Sequence, residues 1–281
     1  MKNLKNYVRA SSVDDALRQL KEQPGAKLLA GGTTIVKLRD QRVETLVDIK
    51  TAGIDYIKVN GEVRIGAATR IQDIAKSEEL APIGYGIMGK VASAVGSTLI
   101  RNLVTLGGNI VQLYYWSDMP VALLLLDADV TIKGDNSRIV GAKEYFAKNP
   151  KLTVSHQEIV SEVSFDIPDK DRVFDFIKFA KTKFDYSIIN VGTAYTLTSG
   201  NCGNPRIVIS AATKLPMRAE KAEAFLDGKE ATEENFKKAG EIAAEEVDMT
   251  NDYRASKEYR ENVLPVLVKR SLIAAMQLKG Q

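Results

Sequence analysis

The chain has 281 residues, 44% hydrophobic and 27% charged, with a formal net charge of +3. These values suit one large domain or two to three small ones, and the small charge without like-charge runs gives no support for nucleic-acid binding. The start lacks the apolar core of a secretion signal, and the longest apolar run (121–126) is too short to cross a bilayer. The chain has one cysteine and one histidine, which argues against a disulfide, a metal site or a protein-held iron–sulfur cluster. We therefore expect a cytoplasmic protein whose chemistry comes from an organic cofactor or a partner chain.

The first 50 residues predict one helix and two short strands. Ser12 precedes apolar residues at helical spacing, which is typical of a capped amphipathic helix, and Pro24-Gly25 ends it. Apolar strands are expected at residues 27–30 and 46–49. The order of strand, turn, helix and strand indicates a small βαβ-like unit.

A second, antiparallel sheet is expected from Val63 onward, where apolar and polar residues alternate. Apolar residues then recur every four positions at Val91, Val95, Leu99 and Leu103, which predicts one helix that leads directly into a glycine-rich turn. Later strands of this region are expected at residues 129–132 and 159–167.

A break at residues 167–171, which contains Pro168, is the expected domain boundary. Beyond it the pattern resets to strands and then helices: strands at 174–180, 187–197 and 206–210, and helices at 219–226, 233–246 and from about residue 256. The predicted fold class is α+β. Residues 1–170 form a first domain with subdomains of about 1–55 and 56–170, and residues 171–281 form a second α+β domain.

Two glycine-rich turns, residues 30–34 (AGGTT) and 105–109 (TLGGN), are the strongest candidates for a binding site. Paired glycines allow the backbone to approach a ligand closely and to turn its N–H groups toward an anion. Either turn alone could be ordinary turn chemistry, but two together favour phosphate binding. Thr33, Thr34, Thr105 and Asn109 could add side-chain hydrogen bonds, and a dinucleotide fits a ligand with separate anionic and polar parts.

A third glycine pattern, residues 84–89 (GYGIMG), matches the dinucleotide fingerprint in spacing only. That fingerprint requires a preceding strand and an acidic residue about 20 positions later. Here Pro82 precedes the glycines and Asn109 stands at the acidic position, so we interpret the match as chance.

Single polar residues leave two interpretations open. Asp118 is either a helix-cap or turn residue or a carboxylate that accepts hydrogen bonds from a sugar-like polyol. Lys178 is either a lysine at a strand edge or a cation set against a ring system. His156 is expected in a solvated loop and Cys202 at a hairpin tip, so no catalytic residue and no metal ligand is predicted.

Several short motifs occur in the order found in the FAD-binding medium subunits of molybdenum hydroxylases. They are LAGGT at 29–33, IGA at 65–67, IRN at 100–102, TLGGN at 105–109, SD at 117–118, LDA at 126–128, DYRAS at 252–256 and YR at 259–260. Over nearly its whole length the chain resembles this family, which includes the flavoprotein subunits of xanthine, carbon monoxide and nicotinate dehydrogenases.

The resemblance implies a two-part PCMH-type FAD-binding domain followed by an α+β C-terminal domain of the CO dehydrogenase flavoprotein type. It implies an oxidoreductase subunit, xanthine dehydrogenase-like, whose FAD passes electrons from [2Fe-2S] clusters of a small partner subunit to an external acceptor. A molybdopterin cofactor is expected on a large partner subunit. The implied assembly is a cytoplasmic dimer of heterotrimers, with no nucleic acid and no membrane span.

The resemblance also implies which residues contact FAD. The pyrophosphate would be held by Leu28, Leu29, Ala30, Gly31, Gly32, Thr33, Thr34 and Ile35, and by Thr105, Leu106, Gly107, Gly108 and Asn109. Gly96 would lie on a helix edge facing the cofactor, and Asp118 would bind ribityl or ribose hydroxyls. Val160 would lie beside the isoalloxazine, Lys178 at its pyrimidine side, Lys151 at a basic contact, and Tyr186 over the ring.

The sequence departs from the family pattern in places. Thr34 stands where the family usually has Asp, and Tyr114-Tyr115-Trp116 is bulkier than the usual small residues, so this segment could shield the flavin or meet a partner. Two other functions stay open: a stand-alone flavin reductase of the cell-wall precursor type, and a non-redox nucleotide-binding scaffold. Neither the substrate of the complex nor its acceptor, whether NAD, quinone or ferredoxin, follows from the sequence.

Overall fold

A computed structural model describes residues 3–38 and 40–279, which form three sheets. The first sheet is parallel, with β1 (Asn6–Arg9) and β2 (Ala26–Leu29) on either side of β3 (Thr45–Asp48). Helix α1 (Val13–Glu22) connects β1 to β2, and the short α2 (Ile35–Leu38) follows β2.

The predicted helix at the start of the chain is confirmed. The hydroxyl of Ser12 accepts a hydrogen bond from the Asp15 N–H at 3.0 Å, and this cap satisfies one of the helix's unpaired N–H groups. Strand β1 was not predicted from the sequence. Its residues are mostly exposed, so they show no apolar run or alternation.

The second sheet is antiparallel and has the order β4-β5-β8-β6-β7. Its strands are β4 (Ile57–Asn60), β5 (Glu62–Gly66), β6 (Asp129–Lys133), β7 (Arg138–Gly141) and β8 (Ile159–Asp166). The helices of this region are α3 (Ile71–Lys76), α4 (Ile87–Ala94), α5 (Thr98–Arg101), α6 (Leu106–Gln112), α7 (Met119–Leu125), α8 (Ala142–Ala147) and α9 (Pro150–Thr153), with a 3-10 helix at Ile83–Gly86. The antiparallel sheet expected from Val63 is therefore confirmed.

The third sheet is antiparallel in the order β12-β11-β10-β9 and is covered by helices from the end of the chain. Its strands are β9 (Arg172–Phe179), β10 (Ile189–Thr198), β11 (Asn201–Ser210) and β12 (Met217–Arg218), and the helices are α10 (Glu220–Leu226), α11 (Glu233–Glu246) and α12 (Lys257–Leu278). The α+β class is thus observed. The exact division at residue 170 and the subdomain limits stay predictions.

The single helix predicted through Val91 and Leu103 is wrong. Helix α4 ends at Ala94, Gly96 has a positive φ of +47°, and the hydroxyl of Ser97 accepts a hydrogen bond from the Ile100 N–H to begin α5. The apolar spacing continues across the break, but Leu99 is 77% exposed and lies outside the core. A left-handed glycine followed by a capping serine outweighs the periodic pattern.

Helix α7 joins the second region to the third sheet. All seven of its residues are buried. Gly192 of β10 allows this approach, because a Cβ there would overlap Val121 and lie 2.8 Å from Leu125. The residue that precedes α7, Asp118, is consequently held against β9 and β10. Within residues 3–38 and 40–279, no helix combines the length and apolar character that crossing a bilayer requires.

Candidate functional site

The first glycine turn lies directly against the chain segment that leads into the second turn. A Cβ on Gly31 would overlap the carbonyl oxygen of Leu103, two residues before Thr105. Gly32 has a positive φ of +72°, a conformation that side chains disfavour. The structure therefore brings together the two motifs that the sequence separates.

Among the described residues, the backbone N–H groups of the first turn from Gly31 onward are unpaired. From Gly31 to Ile35, none of the five donates to an acceptor within the part of the chain that the structure describes. The next donor, the Val36 N–H, bonds the Gly32 carbonyl at 3.2 Å. A row of unpaired N–H groups beside paired glycines is a suitable site for an anion such as a pyrophosphate.

The second turn differs, because its N–H groups from Leu106 to Asn109 are paired within the protein. Those of Leu106 and Gly107 donate to the carbonyls of Thr69 and Ala67, at 2.9 and 2.8 Å. Those of Gly108 and Asn109 donate to the side chain and carbonyl of Thr105, at 3.2 and 2.9 Å, which caps α6.

Because these N–H groups are paired, the second turn can contact a ligand only through its side chains and through the close backbone approach that its glycines allow. A Cβ on Gly107 would lie 2.8 Å from the Cβ of Ala67, so this glycine serves tight packing. The Oδ1 atom of Asn109 is buried and has no partner within the described residues. Such an orphaned acceptor fits a ligand that brings a donor, and the predicted FAD contacts of residues 105–109 stay a prediction.

Apolar and polar residues alternate along β8, and Val160 is an apolar residue on the face where Glu162, Ser164 and Asp166 are polar. A β-bulge explains its position. The register between β6 and β8 shifts so that Ser161 is the extra residue, which re-aims its neighbour. Val160 is 5% exposed, so only a small part of it is open to a ligand. The Ser161 carbonyl accepts from the Ala67 N–H at 2.9 Å, which places the bulge beside Gly107.

Asp118 is the centre of a buried polar network. Its Oδ1 accepts hydrogen bonds from Ser187 Oγ at 2.9 Å and from Asn190 Nδ2 at 2.8 Å, and its Oδ2 accepts from Lys178 Nζ at 3.3 Å. Asp118 precedes α7 but its side chain makes no cap hydrogen bond. The network therefore replaces the predicted capping role.

Burial raises the pKa of the Asp118 carboxyl, while the Lys178 ammonium and the hydrogen bonds from Asn190 and Ser187 act in the opposite direction. Lys178 also donates to the carbonyl of Ala94, at the end of α4, at 2.8 Å. Strand β9 is an edge strand, as the first interpretation supposed, but the side chain is only 12% exposed and its ammonium bonds to protein groups, so Lys178 does not hold its charge in water. Gly96, predicted on a helix edge, lies instead in the turn that follows that helix.

Aromatic residues lie between the first turn and this network. The Tyr114 hydroxyl is 3.5 Å from Thr34 Oγ1, and Trp116 stacks on Tyr186 with 4.5 Å between ring centroids. Lys151, in α9, places its ammonium 5.3 Å from the Tyr114 ring centroid. Lys151 and Tyr186 are thus brought to the same cluster, while their predicted contacts with FAD stay predictions.

Sequence reasoning missed the partners Ser187, Asn190 and Arg254. The first two are fully buried polar residues at the beginning of an apolar strand, and that combination is the signal that could have identified them. Arg254 is 7% exposed, donates to the Ala211 carbonyl at 2.8 Å and also donates to the Ser187 carbonyl.

The pattern at residues 84–89 behaves as expected of a chance match. A 3-10 helix and then α4 contain it, the chain just before it forms turns, and Gly84 packs on the Phe174 ring.

His156 is exposed in a turn, and Cys202 is buried in β11, where burial raises the pKa of its thiol to about 12. No cluster of three or more metal-binding side chains occurs in the described part of the chain.

Comparisons with known proteins agree along the whole chain. A family described as the FAD binding domain in molybdopterin dehydrogenase matches residues 2–169, and the CO dehydrogenase flavoprotein C-terminal domain matches residues 175–275. The glyceraldehyde dehydrogenase medium chain of Sulfolobus acidocaldarius is 28% identical over 274 residues, 95% of this chain and 96% of that protein.

The xanthine dehydrogenase FAD-binding subunit of Escherichia coli O157:H7 is 27% identical over 285 residues, 98% of this chain and 97% of that protein. Among solved structures, a carbon monoxide dehydrogenase chain from Hydrogenophaga pseudoflava superposes with a TM-score of 0.90 at 25% identity, covering 98% of both chains. That enzyme was crystallised without the Mo-pyranopterin moiety of its molybdenum cofactor.

Proposed function

The chain belongs to the family of FAD-binding subunits of molybdopterin dehydrogenases, and from this premise we propose that it relays electrons through FAD between a partner subunit and an external acceptor. It is an oxidoreductase subunit, as the sequence resemblance indicated. The observation that carries the proposal is the row of unpaired N–H groups from Gly31 to Ile35 within the described residues.

The residues present fit FAD. The unpaired N–H groups would hold the pyrophosphate, and the hydroxyls of Thr33 and Thr34 would add donors without the charge that Asp carries at position 34 in the family. The orphaned Asn109 Oδ1 would accept a hydrogen bond from the same ligand. When bound, FAD supplies the acceptance and release of electrons.

Asp118 and Lys178 would act at the other end of the cofactor. Asp118 would accept from ribityl or ribose hydroxyls, within a network that already orients both of its oxygens. The Lys178 ammonium, fixed by the Ala94 carbonyl, would stabilise negative charge that develops on a nearby ring. Burial strengthens this electrostatic effect because little water screens it.

The proposal includes an iron–sulfur small subunit and a molybdenum large subunit, assembled as a dimer of heterotrimers. The only cysteine, Cys202, is buried in β11, so [2Fe-2S] clusters must reside on another chain. We place the complex in the cytoplasm, where cysteines that ligate clusters stay reduced. Residues 1–170 would hold the cofactor, and residues 171–281 would supply Lys178 and close the site.

The first test is the purified chain incubated with FAD. We expect one bound flavin per chain, with the visible absorbance of a flavoprotein. A chain that stays colourless would count strongly against the proposal.

The second test is purification of the chain with its partners from the native host. We expect iron, acid-labile sulfide and molybdenum in the same fractions. Recovery of a lone, active flavoprotein would contradict the relay. The comparisons lend no support to the stand-alone flavin reductase or to the non-redox scaffold.

A further inference from the structure

Three aromatic side chains form a column beside the predicted flavin site, with one pair stacked and the other tilted. The rings of Tyr114 and Trp116 have centroids 4.9 Å apart and planes within 3° of parallel, and Trp116 and Tyr186 are 4.5 Å apart at 33°. Tyr115 meets Trp116 nearly edge-on at 4.6 Å. Stacked and edge-to-face pairs at these distances are favourable, so each ring restricts its neighbour.

This aromatic column (Tyr114, Trp116 and Tyr186) spans the site from one end to the other. At one end the Tyr114 hydroxyl is 3.5 Å from Thr34 Oγ1, beside the unpaired N–H groups of the first turn. At the other end Tyr186 precedes Ser187, whose hydroxyl donates to Asp118. Tyr186 is 52% exposed and is therefore the open end of the column.

Arg254 fixes the column from the C-terminal region. Its guanidinium carbon lies 4.9 Å from the centroid of the Tyr115 ring and 6.0 Å from that of Trp116. Hydrogen bonds to Asp252 at 2.6 Å and to the Ser187 and Ala211 carbonyls hold the guanidinium in place. A buried, fixed cation attracts aromatic rings more strongly than a mobile one in water.

We propose that Trp116 is a positioning residue of the flavin site, which holds Tyr186 so that its exposed side backs the flavin ring. The inference rests on the proposed function and goes beyond it. The bulky segment at residues 114–116 departs from the family pattern, and the column gives that departure a purpose. Removal of the indole would leave Tyr186 in a loop without its stacking partner.

The chain contains a single tryptophan, so its fluorescence reports on Trp116 alone. In the full-length chain we expect FAD titration to quench this emission. Trp116→Leu lacks the emission, so its affinity is measured by isothermal titration with FAD. This variant should bind FAD about five- to tenfold more weakly, the size of one aromatic pair, and alter the visible circular dichroism of bound flavin. Trp116→Phe should restore most of both properties, because a phenyl ring can still stack.

The matched control is Tyr253→Leu, since Tyr253 is 73% exposed and forms no ring pair among the described residues. It should bind FAD as the wild type does. Tyr186→Leu is the second variant, and in the FAD-free chain it should shift the emission of Trp116 while leaving the far-ultraviolet circular dichroism unchanged.

Two results separate the inference from the function on which it rests. Wild-type affinity and an unchanged flavin spectrum in Trp116→Leu would overturn the positioning role and leave FAD binding intact. Absence of FAD binding by the wild-type chain would overturn both. If Trp116→Leu does not fold, an unshifted Trp116 emission in Tyr186→Leu would still overturn the inference.

Discussion

The five N–H groups of residues 31–35 have no acceptor within residues 3–38 and 40–279, whereas the four at residues 106–109 are all paired inside the protein. Both turns contain Gly-Gly, and Gly31 of the first touches the Leu103 carbonyl, in the segment that leads into the second. The first uses glycine to leave donors open, and the second uses it to pack against Ala67. A glycine pair therefore indicates that the backbone approaches a neighbouring group closely. Whether that group is a ligand or the protein itself is indicated by which backbone N–H groups lack a partner in the protein.

The largest effect is expected from Gly31→Ala. Its methyl group would overlap the Leu103 carbonyl oxygen, a backbone atom that cannot rotate away, so the first turn must move off the second. We expect FAD affinity to fall by more than about tenfold and the chain to lose about 1–3 kcal/mol of stability. Isothermal titration with FAD and urea unfolding of the FAD-free chain measure the two effects.

Gly32→Ala is the control for this change, because the nearest atom to its added Cβ is 3.4 Å away. Its positive φ of +72° costs about 1–2 kcal/mol for an alanine, but the contact between the turns is kept. FAD binding should therefore suffer less than in Gly31→Ala. Equal binding by Gly31→Ala and the wild type would show that the turn does not hold the cofactor.

Features of the fold could be predicted where the neighbouring sequence is sufficient to determine them. The cap at Ser12 and the helix at residues 233–246 needed only local signals. The helix through Leu99 is wrong because the left-handed Gly96 and the capping Ser97 end α4 within an unbroken apolar periodicity. Arg101 folds back to donate to the carbonyls of Ser93 and Gly96, at 3.1 Å each, and closes α4 with bonds that periodicity does not reveal.

The candidate site, in contrast, depends on contacts between residues that are distant in the sequence. The sequence identified Asp118 and Lys178 separately, but their pairing depends on the approach of α7 to β9 and β10 at Gly192. The donors Ser187 and Asn190 come from the start of β10 and the residues just before it, 69 and 72 residues along the chain from Asp118. The sequence alone does not show which residues of such distant segments become neighbours.

A smaller effect, and of a different kind, is expected from Gly107→Ala. The added Cβ would lie 2.8 Å from Ala67 Cβ and 3.0 Å from its carbonyl oxygen, so the packing must loosen. We expect the FAD-free chain to lose about 1–3 kcal/mol of stability in urea unfolding. FAD affinity of the folded protein should change by less than about threefold, because no N–H group facing the ligand is altered. The reverse result, an unchanged free energy of unfolding with a large loss of FAD affinity, would contradict the packing role of Gly107.

The smallest effects come from a matched pair of threonines, one in each turn. Thr105→Val removes the hydroxyl that accepts from the Gly108 N–H, so α6 loses its cap and the FAD-free chain should lose about 1 kcal/mol. Thr34→Val removes a hydroxyl whose one hydrogen-bond partner among the described residues is the Tyr114 hydroxyl at 3.5 Å, so the stability of this variant should stay within about 0.5 kcal/mol of the wild type. Because that hydroxyl lies beside the open donors, Thr34→Val should weaken FAD binding by about fivefold, the size of one hydrogen bond. If the two variants exchange these effects, then the second turn holds the pyrophosphate and the first turn is structural.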